Sequence, residues 1–154
     1  MSKQYKEEEV LNFLKDNFIM SVATVSDNKP AASVMLYAVD DDFTMYMATH
    51  IDSYKSKNLI ANPKIGISIW EKEKMLVQID AVVEKIESEV DVESTLNKLA
   101  ESASKEDDFW PPVFRIKGGD YIVFRIKPYW IRALDLNQNT LRQEDSPFTI
   151  INLN

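Results

Sequence analysis

The sequence predicts a mostly β protein, an antiparallel barrel or sandwich with a few flanking helices. Three observations support this. The apolar runs are short and tend to alternate, turn residues separate neighbouring runs, and helical spacing is confined to a few stretches.

The elements follow in order. Val10, Leu11, Leu14 and Phe18 form one apolar stripe at helical spacing, which predicts a first helix. The run Phe18 to Val25 reads as a strand that ends in the turn residues Ser26, Asp27, Asn28 and Pro30. A second strand, Ala31 to Val39, runs to the Asp40-Asp41-Asp42 turn, and a third, Phe43 to Thr49, leaves it. Asp52 suits an N-cap and Pro63 cannot continue a helix, so Ser53 to Asn62 is predicted as a short helix. Strands Lys64 to Trp70 and Met75 to Ile86 come next. Val92, Leu96, Leu99, Ala100 and Ala103 then share one helical face. After two prolines, the twice-used FRIK (Phe114 to Lys117, Phe124 to Lys127) predicts two strands meeting at Gly118-Gly119, with Ile122, Phe124 and Ile126 facing inward. Tyr129 to Leu136 is read as the last strand, and the tail beyond it shows no strong period. With 154 residues, 45% hydrophobic and without a linker, the chain is expected to form a single domain, 1–154.

Bulk properties exclude several functions. A net charge of -7 and a pI near 4.8 would repel a phosphate backbone, so no general nucleic-acid binding is expected. With no cysteine and one histidine, His50, there is no thiolate site and no multi-histidine zinc site. The acidic N-terminus does not resemble a signal peptide, and no apolar run approaches the ~20 residues of a membrane span. The expectation is a soluble cytoplasmic protein with no membrane partner.

Two local patterns point further. In the second strand Val34, Leu36 and Ala38 share one face and Met35, Tyr37 and Val39 the other, and both faces are apolar or aromatic. Something must cover the outside: a partner subunit is the economical cover, and a helix of the same chain is the alternative. Between Phe43 and Trp70, three lysines (Lys55, Lys57 and Lys64) face one acid, Asp52, in an otherwise acidic chain. Ser53, Tyr54 and Lys55 occupy the first turn of the short helix there, directly after the strand ending at Thr49. Open helix N–H groups, a hydroxyl and an ammonium make a phosphate cradle, although the Asp52 carboxylate would compete for the same amides.

Taken together, "ATVSDNKPAASVMLYAVDDD" and "MYMATHIDSYKSKNLIANPKIGISIW" resemble the FMN-binding split-barrel family related to pyridoxamine 5′-phosphate oxidase, especially its small general-stress-protein branch. "VQIDAVVEKIE" and "VFRIKPYWIRALDL" resemble its later strands, while the likeness is thin from Ser88 to Gly119. The resemblance implies a split β-barrel (Greek-key, antiparallel) with flanking helices, forming a homodimer with FMN at its interface. It implies phosphate and ribityl contacts at Thr49, Ser53, Tyr54 and Lys55, and backbone contacts to the flavin ring from Ser33, Val34, Met35 and Leu36. A deazaflavin would use the same phosphate-end contacts, and haem is a further alternative cofactor. Three residues of the full oxidase are missing. Its phosphate-binding arginine falls on Ser33, its substrate lysine at or near Ala38, and its ring-contacting glutamine near Leu76, with Gln78 displaced. Pyridoxamine 5′-phosphate oxidase activity is therefore not expected.

Other residues carry competing readings. Trp110 and Trp130 could stack on a flavin or pack in a β core. Arg132 shares a strand face with Trp130 and could reach a cofactor phosphate or carboxylate, or form a salt bridge at the surface. Met20, Met35, Met45, Met47 and Met75 read as core filler. His50 could act as a base, but no motif ties it to a nucleophile or acid. The Asp40–Asp42 run reads as a solvated turn, since it lacks the spacing of a calcium loop. The functional expectation is a flavin-dependent oxidoreductase acting on an unknown small molecule. The alternatives are a non-catalytic flavin- or haem-binding module and a cofactor-free dimeric scaffold.

Overall fold

The computed structural model describes residues 4–105, 120–136 and 148–153. Trp110, the strand expected at Phe114 to Lys117 and the turn at Gly118-Gly119 lie outside the described residues. The element order is α1 (Glu7–Asp16), β1 (Ile19–Ser26), β2 (Lys29–Leu36), β3 (Ala38–Val39), β4 (Met45–His50), α2 (Tyr54–Ala61), β5 (Lys64–Glu71), β6 (Met75–Lys85), α3 (Glu89–Ala103), β7 (Tyr121–Asp135) and β8 (Phe148–Ile151). One eight-stranded antiparallel sheet runs β2-β1-β5-β6-β7-β4-β3, with β8 also on β7. The mostly β split-barrel expectation holds.

The second expected strand is interrupted at Tyr37, and that break curls the sheet. Before it, β2 pairs with β1; after it, β3 pairs with β4, so one bent run supplies both ends of the sheet. Tyr37 is fully buried, and its amide, hydroxyl and carbonyl are all engaged. Its N–H donates to Phe18 O at 2.9 Å, its hydroxyl donates to Leu14 O at 2.6 Å, and its carbonyl accepts from Ser102 Oγ at 2.7 Å. Burial pushes its phenol pKa well up. Asp27 and Asn28 both take positive φ, 49° and 63°, as a two-residue hairpin turn between paired Ser26 and Lys29 requires.

Cross-strand rows define the two faces of the sheet. Ser33, Val22, Ile67, Ile79, Ile131 and Ile151 form one row, which points into the main core with Met20, Met45, Met47 and Met75. The methionines are core filler, as expected. Val34, Ser21, Ser68, Gln78, Arg132 and Ile150 form the next row, which points outward. A second core lies outside the barrel, where Leu99 and Ala103 of α3 pack with Leu36, Ala38, Tyr46 and Val123. Cover for the two-faced strand thus comes partly from its own chain. Leu36 and Ala38 lie under α3, while Val34 stays 65% exposed.

Three boundary expectations need correction. The strands expected on either side of Pro128 are one continuous strand, β7. Opposite Asp80 and Ala81 the register steps from Trp130 to Pro128, so Tyr129 is an extra residue in a bulge, which accommodates a proline with no N–H to give. The N-cap of α2 is Ser53 rather than Asp52. The tail contributes a strand, β8, too short at four residues to show a period.

Candidate functional site

The predicted site residues fall into three groups. The first is the turn from β4 into α2. Thr49 is buried, and its hydroxyl donates to Ser53 Oγ at 3.1 Å. Ser53 Oγ also accepts from Ser56 N at 3.1 Å, as an N-cap should. With both lone pairs of Ser53 Oγ in use, its own proton points away from these partners and is open to an acceptor. Ser56 Oγ, which sequence reasoning passed over, donates to Ile51 O at 2.5 Å and fixes the turn from beneath. The Tyr54 and Lys55 amides precede the first intrahelical bond, and no acceptor meets either among the described residues. Lys55 has no carboxylate within ion-pair distance among the described residues, whereas Lys15, Lys74 and Lys98 are each paired. Tyr54 is 83% exposed.

His50 shapes this turn. Its Nδ1 accepts from Asp52 N at 3.1 Å and its ring stands edge-on to Tyr121, 6.5 Å between centroids. A neutral ring accepting at Nδ1 carries its proton on Nε2. Asp52 itself is 78% exposed at its side chain and lies outside the cap, so the competition expected for the amides does not arise in this conformation.

The second group is β2. Ser33 and Met35 face inward, Val34 and Leu36 outward. Ser33 Oγ is buried and meets no hydrogen-bond partner among the described residues. It shares the inward face of the β1–β2 ladder with Thr24, whose Oγ1 accepts from Asn58 Nδ2 of α2 at 3.1 Å. β2 pairs with β1 alone, so its other edge leaves backbone donors and acceptors open among the described residues.

The third group lies on the outward face. Trp130 and Arg132 do share that face, as expected, with the guanidinium 5.2 Å from the Trp130 ring centroid. Trp130 is half-buried there, not a core residue, and the surface salt bridge is replaced by a bond from Arg132 Nε to Gln78 Oε1 at 2.6 Å. Gln78, set aside in the sequence reading, is thus part of this cluster; its cross-strand pairing with Arg132 needed the register of β6 to be seen. Among the described residues, the groove beside Trp130 and Arg132 is lined by none from α2.

The acidic turn is occupied by its own contacts. Asp40 accepts from Tyr46 Oη at 2.7 Å and pairs with Lys98 at 3.1 Å, Asp41 pairs with Lys15, and Asp42 accepts from Thr44 N at 3.0 Å.

A family model described as pyridoxamine 5′-phosphate oxidase matches residues 7–135. The chain belongs to this family. Solved structures agree on the fold. A conserved hypothetical protein of Mycobacterium tuberculosis is 20% identical with a TM-score of 0.72, covering 94% of this chain and 100% of that one. A FAD-binding protein of Mesorhizobium loti is 16% identical at TM-score 0.66, covering 86% and 95%. The haem storage protein of Vibrio cholerae is 18% identical at TM-score 0.61, covering 79% and 89%. No curated protein matches the chain in sequence. Among the described residues, no helix is long and apolar enough to cross a membrane.

Proposed function

We propose that this family member is an FMN-binding homodimer in the cytoplasm that transfers electrons to a small molecule. The observation that carries the reading is the α2 turn. Among the described residues it offers two open amides, the Ser53 proton and a Lys55 with no carboxylate partner, a donor set suited to a phosphate. Family membership supports flavin as the group attached to that phosphate. The orphaned Ser33 Oγ and the open edge of β2 fit a ring that accepts and donates hydrogen bonds along its rim. Thr49, Ser53, Tyr54 and Lys55 would hold the phosphate end, and the backbone of residues 33–36 the ring. Among the described residues the groove beside Trp130 and Arg132 includes none from α2, and in the homodimer reading these two would approach the flavin of a partner subunit. A bound flavin supplies hydride or single-electron transfer, and the chain's own residues supply placement and charge.

The test is the visible spectrum of the purified protein before and after adding FMN and removing the excess. Retained flavin absorbance, weakened tenfold or more in affinity by Lys55→Ala, is the expected result. A protein that holds no flavin under these conditions overturns the reading. Reduction of the bound flavin by NADH or NADPH separates an enzyme from a carrier.

Haem is the second reading, favoured by the fold shared with a haem storage protein. His50 would have to give up its Asp52 N–H bond, or lose its Nε2 proton, to ligate iron through a ring nitrogen. A Soret band on adding haemin that Asp52→Pro and His50→Gln both leave unchanged would show ligation elsewhere.

A further inference from the structure

The Arg132 guanidinium is fixed before any ligand arrives. Its Nε–H is committed to Gln78 Oε1 at 2.6 Å, and the group lies 4.0 Å from the Phe148 ring centroid and 5.2 Å from that of Trp130. Arginine has five N–H donors, and the four on its terminal nitrogens meet no acceptor among the described residues. Most arginines lose rotamer freedom when they bind an anion; this one has surrendered it in folding. A planar fork with open terminal N–H groups matches a carboxylate.

The groove beside it, about 410 Å³, has a low floor. Ser21, Ala23, Gly66 and Ser68 present only small side chains from the paired strands β1 and β5. Gly66 is informative because packing does not demand it. A Cβ there would meet Ala23 Cβ at 3.8 Å, an ordinary contact, and its φ lies outside the left-handed region. A mid-strand glycine is destabilising relative to alanine, so the sheet surface is cut back at a stability cost that no neighbour among the described residues requires. Asp80 sits on the same face, paired with Trp130 one row from Arg132, and its exposed carboxylate disfavours a second negative charge.

We propose that Arg132 is the anion-receiving residue of a small-molecule site on this outward face, and that its ligand class is a flat compound bearing one carboxylate. Ring faces lie over the small-residue floor while the carboxylate meets the terminal nitrogens of Arg132. In assigning this compound as the reacting molecule, the inference rests on the flavin reading above; binding itself does not depend on flavin.

The experiment is a titration with benzoate, and with benzamide as its neutral isostere, followed by the indole N–H resonance of Trp130. Trp130→Phe assigns the resonance, and flavin retention is read on the same samples. Benzoate is expected to shift the resonance saturably and benzamide not. Arg132→Gln should weaken the response at least tenfold, with Arg132→Lys in between. Ser68→Trp, which fills the floor and leaves the guanidinium in place, should block benzoate and keeps the test decisive if Arg132→Gln does not fold. Equal shifts with both compounds, or an unchanged benzoate response in Arg132→Gln or Ser68→Trp, overturns the proposal. So does an Arg132→Gln protein that changes oligomeric state yet still binds benzoate. A benzoate response without flavin retention would overturn the flavin reading alone; flavin retention without a benzoate response would overturn this inference alone.

Discussion

The Tyr5 hydroxyl lies 3.2 Å from Asp135 Oδ1 and 3.1 Å from Lys74 O, tying the N-terminal segment to the end of β7. Burial first, then the charge and hydrogen bond of Asp135, push its pKa up from 10.0 to about 12. The sign of the linkage follows. From about pH 10 to 12 the unfolded chain releases this proton while the folded chain keeps it, so stability is intact below pH 10 and falls as pH rises through that window. Tyr5→Phe should therefore be less stable than the parent at pH 8, with the gap closing by pH 12, as read from urea midpoints at each pH. Tyr37, raised by burial in both proteins, cancels in the difference. An unchanged gap across the window would mean that the phenol proton is not held by Asp135. At this scale the sequence showed residue types but not partners. Thr49, Ser53 and Lys55 could be picked out because they lie within seven positions of one another. The Arg132–Gln78 bond joins residues 54 positions apart, and the isolation of Ser33 Oγ is a property of a finished core.

Elements were legible where a local rule decided them and obscure where pairing did. The α3 stripe and the strands β1, β5 and β6 follow from period alone. The single strand β7 did not, because Pro128 reads as a breaker until a bulge opposite Asp80 and Ala81 absorbs it. At α2 two adjacent residues, Asp52 and Ser53, both suit an N-cap, and the choice is made by His50, whose Nδ1 takes the Asp52 amide and leaves Ser53 to cap Ser56. Ser53 thus serves the helix and the proposed phosphate together. Ser53→Ala should cost about 0.5–2 kcal/mol of stability through the lost cap and lower flavin affinity several-fold. Ser53→Thr should preserve both. Calorimetry and flavin titration on the two variants check this. If Ser53→Ala loses stability and keeps its full flavin affinity, the hydroxyl is a cap alone.

For the whole molecule, the outward face of the sheet is the unfinished surface. Val34, Trp70 and Ile150 on that face are 65%, 63% and 59% exposed, on strands at the β2, middle and β8 regions of the sheet. The proposed homodimer would use this face, since identical chains pair most simply through one shared face about a two-fold axis. The same pairing would turn the Arg132 groove into a slot between two protomers and bring each Trp130 toward the partner's flavin. Trp70 contributes little to either core, since most of its surface is already exposed. Trp70→Glu should therefore leave the thermal unfolding of the barrel nearly unchanged at low protein concentration, while sedimentation shifts from dimer to monomer at micromolar concentration. Flavin retention should fall with the dimer, because in the proposed arrangement residues of both protomers would complete the site. A parent protein that sediments as a monomer would remove the interface. A monomeric Trp70→Glu that keeps flavin with full affinity would confine the cofactor to the α2 turn and β2 edge of one chain.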